Sequence, residues 1–246
     1  MRAVLFEWRG TSFHPYPVMN FIGIVIGVMA GTFEAPSRSL DADVVNVVLL
    51  LLLLPALLGA RLLFVATHWE LYRHEPIRIL RRADGGASLF GGLAFAFLFS
   101  LPLLGVLRVG IGAFWDVASI TILIGLAFTK VGCFLNGCCA GRLSRGWLAI
   151  VSRNERGILG RRAPAQLLES AVAVVILLGA FAFWNQMPFD GAIFLAALGS
   201  YCVARFSLER ARESSDTVGK VNTNRVIAAA LVAISTASFM VFWSQS

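Results

Sequence analysis

Apolar residues fall into seven long runs separated by short polar segments. The longest run, VVNVVLLLLLLPALLGA, extends from Val44 to Ala60 and contains one asparagine as its only polar side chain. About 20 apolar residues cross the hydrocarbon core as a helix, because lipid offers the backbone no hydrogen-bond partner outside the helix itself. The pattern predicts seven membrane-spanning helices, near residues 16–33, 44–67, 89–107, 115–135, 166–183, 191–208 and 225–243.

Composition agrees with this pattern. Of the 246 residues, 58% are hydrophobic and 14% are charged, which excludes an ordinary soluble domain. We therefore expect an all-α polytopic membrane protein with a single domain over residues 1–246 and a small extramembrane head at 136–164, between spans four and five. The segment MRAVLFEWRGTSFHP lacks the basic, apolar and small-residue order of a cleaved signal, so we expect the first span to be retained.

The net charge of +7 is distributed unevenly. A seven-span arrangement places only Arg38 and Arg108 on one face, whereas fifteen cations share the other face: Arg2, Arg9, Arg73, Arg78, Arg81, Arg82, Arg142, Arg145, Arg153, Arg156, Arg161, Arg162, Arg210, Arg212 and Lys220. Taken alone, the positive-inside rule puts this basic face in the cytoplasm. Alternatively, the basic face collects anionic lipid head groups. We expect no nucleic-acid partner.

The segment KVGCFLNGCCAGR, Lys130 to Arg142, ends the fourth span. A charge at membrane depth is costly and indicates a functional position, although an isolated lysine can also extend its ammonium to the interface. Asn136 and Arg142 follow Lys130 among three glycines, which permit turns and close approach of a ligand. A glycine-rich turn with two cations near a helix end suits a phosphate.

Three of the four cysteines lie in the same segment. Cys138 and Cys139 are adjacent, and Cys133 comes five residues before Cys138. This spacing lacks the paired C-x-x-C or histidine partners of a strong zinc site. We expect reduced, buried thiols that fill small apolar spaces, with no metal and no cofactor.

The sixth span ends in the segment YCVARFSLERARESSD, which carries a second polar group of residues. Tyr201, Arg205, Glu209 and Arg212 recur at spacings of three and four, so they share one helix face. Arg205 lies deeper than the others and is the better candidate for holding an anion. Glu209 is expected to pair with Arg205 or Arg212 at the helix end.

Three further segments carry candidate residues. In ADGGASLFGGLAF, the pair Gly91 and Gly92 predicts tight packing of the backbone against a ligand or another helix. Tyr16 stands at the mouth of the first span, where tyrosine is also a common interfacial residue. Gln166 and Glu169 open the fifth span, where they could cap the helix or hydrogen-bond a neighbour, and nothing local decides between these roles.

Taken in order, these five segments resemble the prolipoprotein diacylglyceryl transferase family, from His14 to Asp216 and into a matching last span. The matching positions are His14 and Tyr16; Gly85, Gly86, Ser88, Gly91 and Gly92; Gly132, Phe134, Asn136, Gly137, Gly141 and Arg142; Pro164, Gln166 and Glu169; and Tyr201, Arg205, Phe206, Glu209 and Arg212. The chain also departs from the family pattern. Phe90 replaces a histidine, and Lys130, Cys133 and Cys138 replace arginine, asparagine and glutamate.

The resemblance implies transfer of a diacylglyceryl group from phosphatidylglycerol, or another anionic phospholipid, to a cysteine thiol of a lipoprotein precursor in the bacterial inner membrane. It implies catalytic roles for Tyr16, Asn136, Tyr201 and Arg205. It implies substrate-binding roles for Lys130, Arg142, Gly91, Gly92, Gln166, Glu209 and Arg212. If the family's histidine is a general base, its replacement by Phe90 would cost about 10²–10⁴-fold in rate.

Two other functions stay open at this point. Phe90, Cys133 and Cys138 each remove a polar group from the expected site, which favours a protein that binds an anionic phospholipid without transferring it. Alternatively, Cys133, Cys138 and Cys139 could serve a thiol or metal protein that reuses the fold. Orientation is also open, because the resemblance implies that the head faces outward while the positive-inside rule places it in the cytoplasm.

Overall fold

The computed structural model of the chain describes residues 5–8, 11–73, 75–80, 86–154, 156–213, 217–218 and 221–245. Gly85 and Asp216, which belong to the segments that carry the family resemblance, lie outside the described residues. The same holds for five cations of the basic face: Arg2, Arg9, Arg81, Arg82 and Lys220.

Seven helices in the described part of the chain are long and apolar enough to cross a membrane. In chain order the α-helices are α1 (Pro15–Glu34), α2 (Ala42–Thr67), the short α3 (Trp69–Tyr72), α4 (Leu89–Leu107), α5 (Ile111–Asn136), α6 (Ala165–Ala182), α7 (Ala192–Leu208) and α8 (Thr223–Trp243). Short 3-10 helices follow α1 at Ala35–Arg38, α3 at Pro76–Leu80 and α7 at Glu209–Ala211. The predicted all-α multi-pass membrane architecture is confirmed.

Within the described residues, three antiparallel strand pairs accompany the helices. They are β1 (Phe6–Trp8) with β2 (Thr11–Phe13), β3 (Ile150–Arg153) with β4 (Leu159–Arg162), and β5 (Thr217–Val218) with β6 (Val221–Asn222). They adjoin the start of α1, the connection between α5 and α6, and the connection between α7 and α8. Because successive spans alternate in direction, all three pairs lie at the end of the bundle that carries the basic face.

Helix α5 is the centre of the bundle and packs against α1, α6 and α7. Its contact with α1 depends on small residues. A Cβ atom at Gly27 would lie 2.6 Å from the carbonyl oxygen of Thr121, and the Thr121 hydroxyl donates a 2.9 Å hydrogen bond to the Gly27 carbonyl. Glycine therefore allows the two backbones to approach closely enough for this bond.

Asp116 of α5 fastens the opposite end of the bundle. Its carboxylate is fully buried and accepts 2.9 Å hydrogen bonds from the backbone N–H groups of Gly191 and Phe194, at the start of α7. The guanidinium of Arg38 lies 3.4 Å from the same carboxylate. These contacts satisfy a buried charge and fix α7 against α5, which positions the polar groups at the other end of α7.

Candidate functional site

Five charged side chains from α5, α6 and the end of α7 form a continuous network. Lys130 Nζ lies 2.5 Å from Glu169 Oε2, and Arg205 Nη1 lies 3.3 Å from Glu169 Oε1. Arg205 Nη1 also lies 2.6 Å from Glu209 Oε2, which Arg212 Nη1 approaches at 3.8 Å. Among these five side chains, three cations thus alternate with two carboxylates.

This network is buried. The relative exposure of Glu169 is 1%, that of Glu209 is 2% and that of Arg205 is 6%. Charges removed from water are tolerated when they are paired, and removing one partner leaves an expensive unpaired charge. A buried network in which cations outnumber carboxylates among the described residues is therefore suited to an anionic ligand.

Glu169 is the member whose importance the sequence did not reveal. It connects Lys130 of α5 to Arg205 of α7, and so joins three helices. The signal was present in the segment PAQLLES, but local sequence could not decide between a helix cap and a bond to a neighbour. In the structure Glu169 bonds to neighbouring helices and does not cap its own helix, because its partners lie on α5 and α7.

Tyr201 lies beside the network at the end of a narrow apolar cleft. Its hydroxyl is buried and has no hydrogen-bond partner among the described residues. The cleft runs between α4, α5 and α7, and its walls include Phe90, Leu93, Leu126 and Leu198. A buried, unpartnered hydroxyl at the end of an apolar cleft is available to a ligand that brings a polar group to that point.

A tight turn after α5 gathers three cysteines. Gly137 and Cys139 have φ angles of 83° and 57°, in the left-handed region, so the chain reverses directly after Asn136. The Sγ atoms of Cys133, Cys138 and Cys139 consequently lie within 4.8 Å of one another. The spacing along the sequence did not predict this convergence.

Contacts from three other segments hold the cysteine turn in place. Gln166 Nε2 donates a 2.9 Å hydrogen bond to the carbonyl of Cys138, and the backbone N–H of Glu213 donates a 2.9 Å bond to the carbonyl of Ala140. A Cβ atom at Gly141 would collide with the carbonyl oxygen of Ala163. Gln166 therefore positions the turn, and only glycine fits where the turn meets the head.

The thiols also interact with each other and with nearby cations. Hydrogen bonds from Cys133 and Cys138 hold the pKa of the Cys139 thiol well below its ordinary value, although burial opposes this shift. Arg212 and Lys130 act on Cys139 in the same direction because they favour its anion. Thiolate character is what makes a cysteine nucleophilic or able to bind a metal.

Tyr16 of α1 faces the cysteine turn. It lies within electrostatic reach of the three thiols and Lys130. Its helix is held close to α5 at this point, since a Cβ atom at Gly132 would lie 3.2 Å from the Cα atom of Tyr16. The structure therefore brings Tyr16 into the same region as Lys130, and its catalytic role stays a prediction.

Arg142 and Asn136 lie outside the buried network. Arg142 is exposed, its Nε atom donates a 2.9 Å hydrogen bond to the carbonyl of Arg212, and its backbone N–H donates to the carbonyl of Ala211. This places Arg142 at the rim of the network.

Asn136 is exposed at the last position of α5, and its side chain makes no hydrogen bond within the described residues. The structure does not bring Asn136 together with the network, so its catalytic role stays a prediction.

Gly91 and Gly92 pack against α2. A Cβ atom at Gly91 would collide with the carbonyl oxygen of Gly59, and one at Gly92 would lie 3.0 Å from that of Ala56. This arrangement favours the helix-packing explanation for both glycines. The substrate-binding role expected of both glycines stays a prediction.

Arg162, which in the sequence is one cation of the basic face, is among the most buried side chains of the head. Its relative exposure is 2%, its Nη1 atom donates a 3.2 Å hydrogen bond to the carbonyl of Gly141, and the same atom lies 2.8 Å from Glu213 Oε2. The hydrogen bond from Arg162 is the main reason why the pKa of Glu213 is lowered, and Asn154 adds a second bond. Arg162 thus connects β4 to the cysteine turn and to the segment after α7.

Comparison with known proteins identifies the family of the chain. A family model described as prolipoprotein diacylglyceryl transferase matches residues 3–243. A phosphatidylglycerol–prolipoprotein diacylglyceryl transferase of Bacillus cytotoxicus is 28% identical over 235 residues, covering 90% of this chain and 86% of the relative. One from Clostridium botulinum strain 657 is 24% identical over 232 residues, covering 92% and 93%. The chain therefore belongs to the prolipoprotein diacylglyceryl transferase family.

Proposed function

We propose that this protein transfers a diacylglyceryl group from phosphatidylglycerol to the thiol of a cysteine in a lipoprotein precursor. Family membership supports this reaction class, and the names of its relatives supply the two substrates. The observation that carries the proposal is the buried network beside an apolar cleft, because cations outnumber carboxylates among its described side chains and apolar residues line the adjoining cleft.

The phosphate of phosphatidylglycerol is assigned to Lys130 and Arg205, with Arg142 at the rim. Glu169 and Glu209 both contact the Nη1 atom of Arg205, so this guanidinium is oriented before the lipid arrives. Preorganised donors stabilise charge that develops on a leaving group without reorganising during the reaction. Tyr201 then donates a hydrogen bond from its hydroxyl to a phosphate or glycerol oxygen, since this hydroxyl has no partner among the described residues.

The bond changes follow from the substrates. The sulfur of the acceptor cysteine attacks the glyceryl carbon that bears the phosphate ester, and a C–S bond forms as the C–O bond breaks. Glycerol phosphate leaves with the electron pair of the broken bond, and the product is a thioether. The thiol must lose its proton, because the thiolate is the nucleophile. The acyl chains occupy the cleft lined by Phe90, Leu93 and Leu198.

A second candidate function is phospholipid binding without transfer. It is favoured by Phe90, which is buried in the cleft wall that also contains Tyr201 and which cannot move a proton. This alternative predicts that phosphatidylglycerol stays bound to the purified protein while no thioether forms during long incubation with an acceptor peptide.

The proposed location is the bacterial inner membrane. A reporter fused after residue 246 tests its orientation. If the reporter is active only in the cytoplasm, the head faces outward, as the family resemblance implies. Activity only outside the cytoplasm would mean that the basic face is cytoplasmic, as the positive-inside rule implies.

The test uses the full chain in detergent with phosphatidylglycerol and a peptide that carries a lipoprotein-type acceptor cysteine. Mass spectrometry measures the diacylglyceryl thioether of the peptide. We expect product from the wild-type chain and a decrease of about 100-fold or more for Arg205→Ala. Arg108→Ala is the control, since Arg108 is exposed at the opposite end of the bundle. Equal product from wild type and Arg205→Ala would contradict the assignment of the phosphate to the network.

A further inference from the structure

We propose that Cys133, Cys138 and Cys139 form a three-thiolate site for a soft divalent metal ion of the zinc type, with an open fourth position. We further propose that the acceptor thiol occupies this position during transfer. The role of the acceptor thiol rests on the proposed function, whereas the metal site does not.

The distances between the sulfur atoms fit a metal site. All three Sγ atoms lie within 4.8 Å of one another. Zinc–sulfur bonds are about 2.3 Å long, so thiolates around a tetrahedral zinc ion are roughly 3.8 Å apart. Movements of about 1 Å therefore close the site around an ion, and thiolate sulfur is among the ligands that zinc prefers.

The cysteine turn holds the thiols together by contacts of its own. Cys133 is fixed on α5 and almost completely buried, while the two other cysteines lie on the turn that follows. Cys139 adopts a left-handed φ angle of 57°, which is unfavourable for a residue with a side chain. The bonds from Gln166 and Glu213 to the backbone of the turn stabilise this conformation. These contacts place three thiols around one point.

The number of protein ligands indicates an open site. No histidine, aspartate or glutamate of the described residues joins the three cysteines in the group. Structural zinc sites are closed by four protein ligands, whereas catalytic ones use three and leave a position for water or substrate. A divalent ion with three thiolates carries one net negative charge. Arg212 and Lys130, which lie within electrostatic reach of Cys139, compensate that charge.

The open position suits the proposed reaction, in which a cysteine thiol is alkylated. A thiol that coordinates zinc is deprotonated. The acceptor sulfur would release its proton to water on binding, then attack the glyceryl carbon of the phospholipid held by Lys130 and Arg205. The C–S bond forms, the C–O bond breaks, and glycerol phosphate leaves with the electron pair. The neutral thioether is a weaker ligand and dissociates. This route needs no proton acceptor at Phe90.

The experiment loads the full chain, purified in detergent under reducing conditions, with Co²⁺ as a spectroscopic probe. We expect one ion per chain, with thiolate-to-cobalt charge-transfer absorption in the near ultraviolet and the visible bands of tetrahedral cobalt. Elemental analysis after loading with zinc should give the same stoichiometry. Cys133→Ser, Cys138→Ser and Cys139→Ser should each weaken binding at least about tenfold, because each removes a ligand.

Cys202→Ala is the matched control. Cys202 is the fourth cysteine and is buried in α7, outside the group of three. It should bind cobalt like the wild type. Gel-filtration profiles confirm that each variant is folded, and Cys138→Ser and Cys139→Ser alter only the turn. Absence of cobalt–thiolate absorption in the wild type, or equal binding by folded Cys138→Ser and Cys139→Ser, would overturn the metal site.

A second measurement tests the open position. An acceptor peptide with cysteine should shift the visible cobalt bands, and the same peptide with serine should not. If the cysteine peptide leaves the bands unchanged, the proposed acceptor position is wrong although the metal site stands. If cobalt and peptide both bind but no thioether forms from phosphatidylglycerol, the proposed function fails and the three-thiolate site is retained.

Discussion

The ammonium nitrogen of Lys130 lies 2.5 Å from one carboxylate oxygen of Glu169, and the other oxygen of that carboxylate faces Arg205 at 3.3 Å. A single buried carboxylate thus fixes two cations from different helices in one place. Their positions are set by the protein before any lipid binds. When a phosphate leaves, negative charge develops on it, and cations that are already in place stabilise that charge in the transition state.

Replacing Glu169 should destabilise the helix bundle. Glu169→Ala leaves Lys130 without its paired carboxylate, while Arg205 keeps Glu209. Removing one partner of a buried ion pair costs about 3–5 kcal/mol, which corresponds to a decrease of roughly 6–20 °C in the unfolding midpoint of a chain of this size. The measurement is thermal unfolding in detergent.

Glu70→Gln is the control for Glu169→Ala. Glu70 forms an exposed pair with Arg73, and its side chain is 76% exposed. Exposed pairs contribute little, so the unfolding midpoint of this variant should stay close to that of the wild type. Equal shifts for the two glutamate variants would contradict a structural role for the buried network.

Lys130 should tolerate arginine better than a neutral side chain. Lys130→Arg keeps the positive charge that faces Glu169, and the resemblance indicates arginine at this position in the family, so turnover should stay within about tenfold of the wild type. Lys130→Met removes the charge and should lower turnover about 10²–10³-fold. The thioether assay measures both variants. Full activity of Lys130→Met would show that Lys130 does not bind the phosphate.

The crossing of α2 and α4 should be sensitive to a single methyl group. Gly91→Ala places a Cβ atom against the carbonyl oxygen of Gly59, and overpacking of this kind costs about 1–3 kcal/mol. Gly179→Ala is the matched control, since a Cβ atom there meets nothing within 4 Å. Thermal unfolding should separate the two variants, and a Gly91→Ala midpoint equal to that of Gly179→Ala would mean that α2 and α4 do not cross as described.

The head should become less stable in acid. Because the hydrogen bond from Arg162 lowers the pKa of Glu213, the folded state favours the ionised carboxyl. Its stabilisation is complete above the ordinary glutamate pKa of about 4.3 and disappears as the pH falls through the lower pKa of the folded state. Glu213 is partly exposed, so the effect is small.

Hydrogen exchange of residues 141–162 measures this effect. In Glu213→Gln the segment should exchange faster than in the wild type near pH 6. The ratio of the two rates should approach one in acid, where the wild-type carboxyl is also neutral. Comparing the two chains at each pH cancels the intrinsic pH dependence of exchange. A ratio that does not change with pH would show that the ionised form of Glu213 does not hold the head.

The apolar pattern predicted the architecture closely because membrane spans are read from length and hydrophobicity alone. The span expected at 89–107 is α4 without change of bounds. The span expected at 115–135 begins earlier, at Ile111, since Gly110 ends the preceding turn and IGAF continues the helix. The β3–β4 hairpin of the head was not predicted, because its short strands carry no long apolar run.

The polar site was predictable only in part. Lys130 and Arg205 were identified because a charge within a span is conspicuous by itself. The role of Glu169 could not be decided from the sequence, since it depends on partners from two other helices. The cysteines were expected to be fillers, because the left-handed turn at Cys139 that brings their thiols together leaves no spacing signal in the sequence.

The most direct test of the account is to measure both products of one incubation. Purified protein is mixed with phosphatidylglycerol and the acceptor peptide, and the diacylglyceryl thioether and free glycerol phosphate are quantified together. We predict equal molar amounts of the two products, formed at the same rate and lost together in Arg205→Ala. Bound phosphatidylglycerol with neither product would contradict transfer, and thioether without glycerol phosphate would contradict the proposed bond cleavage.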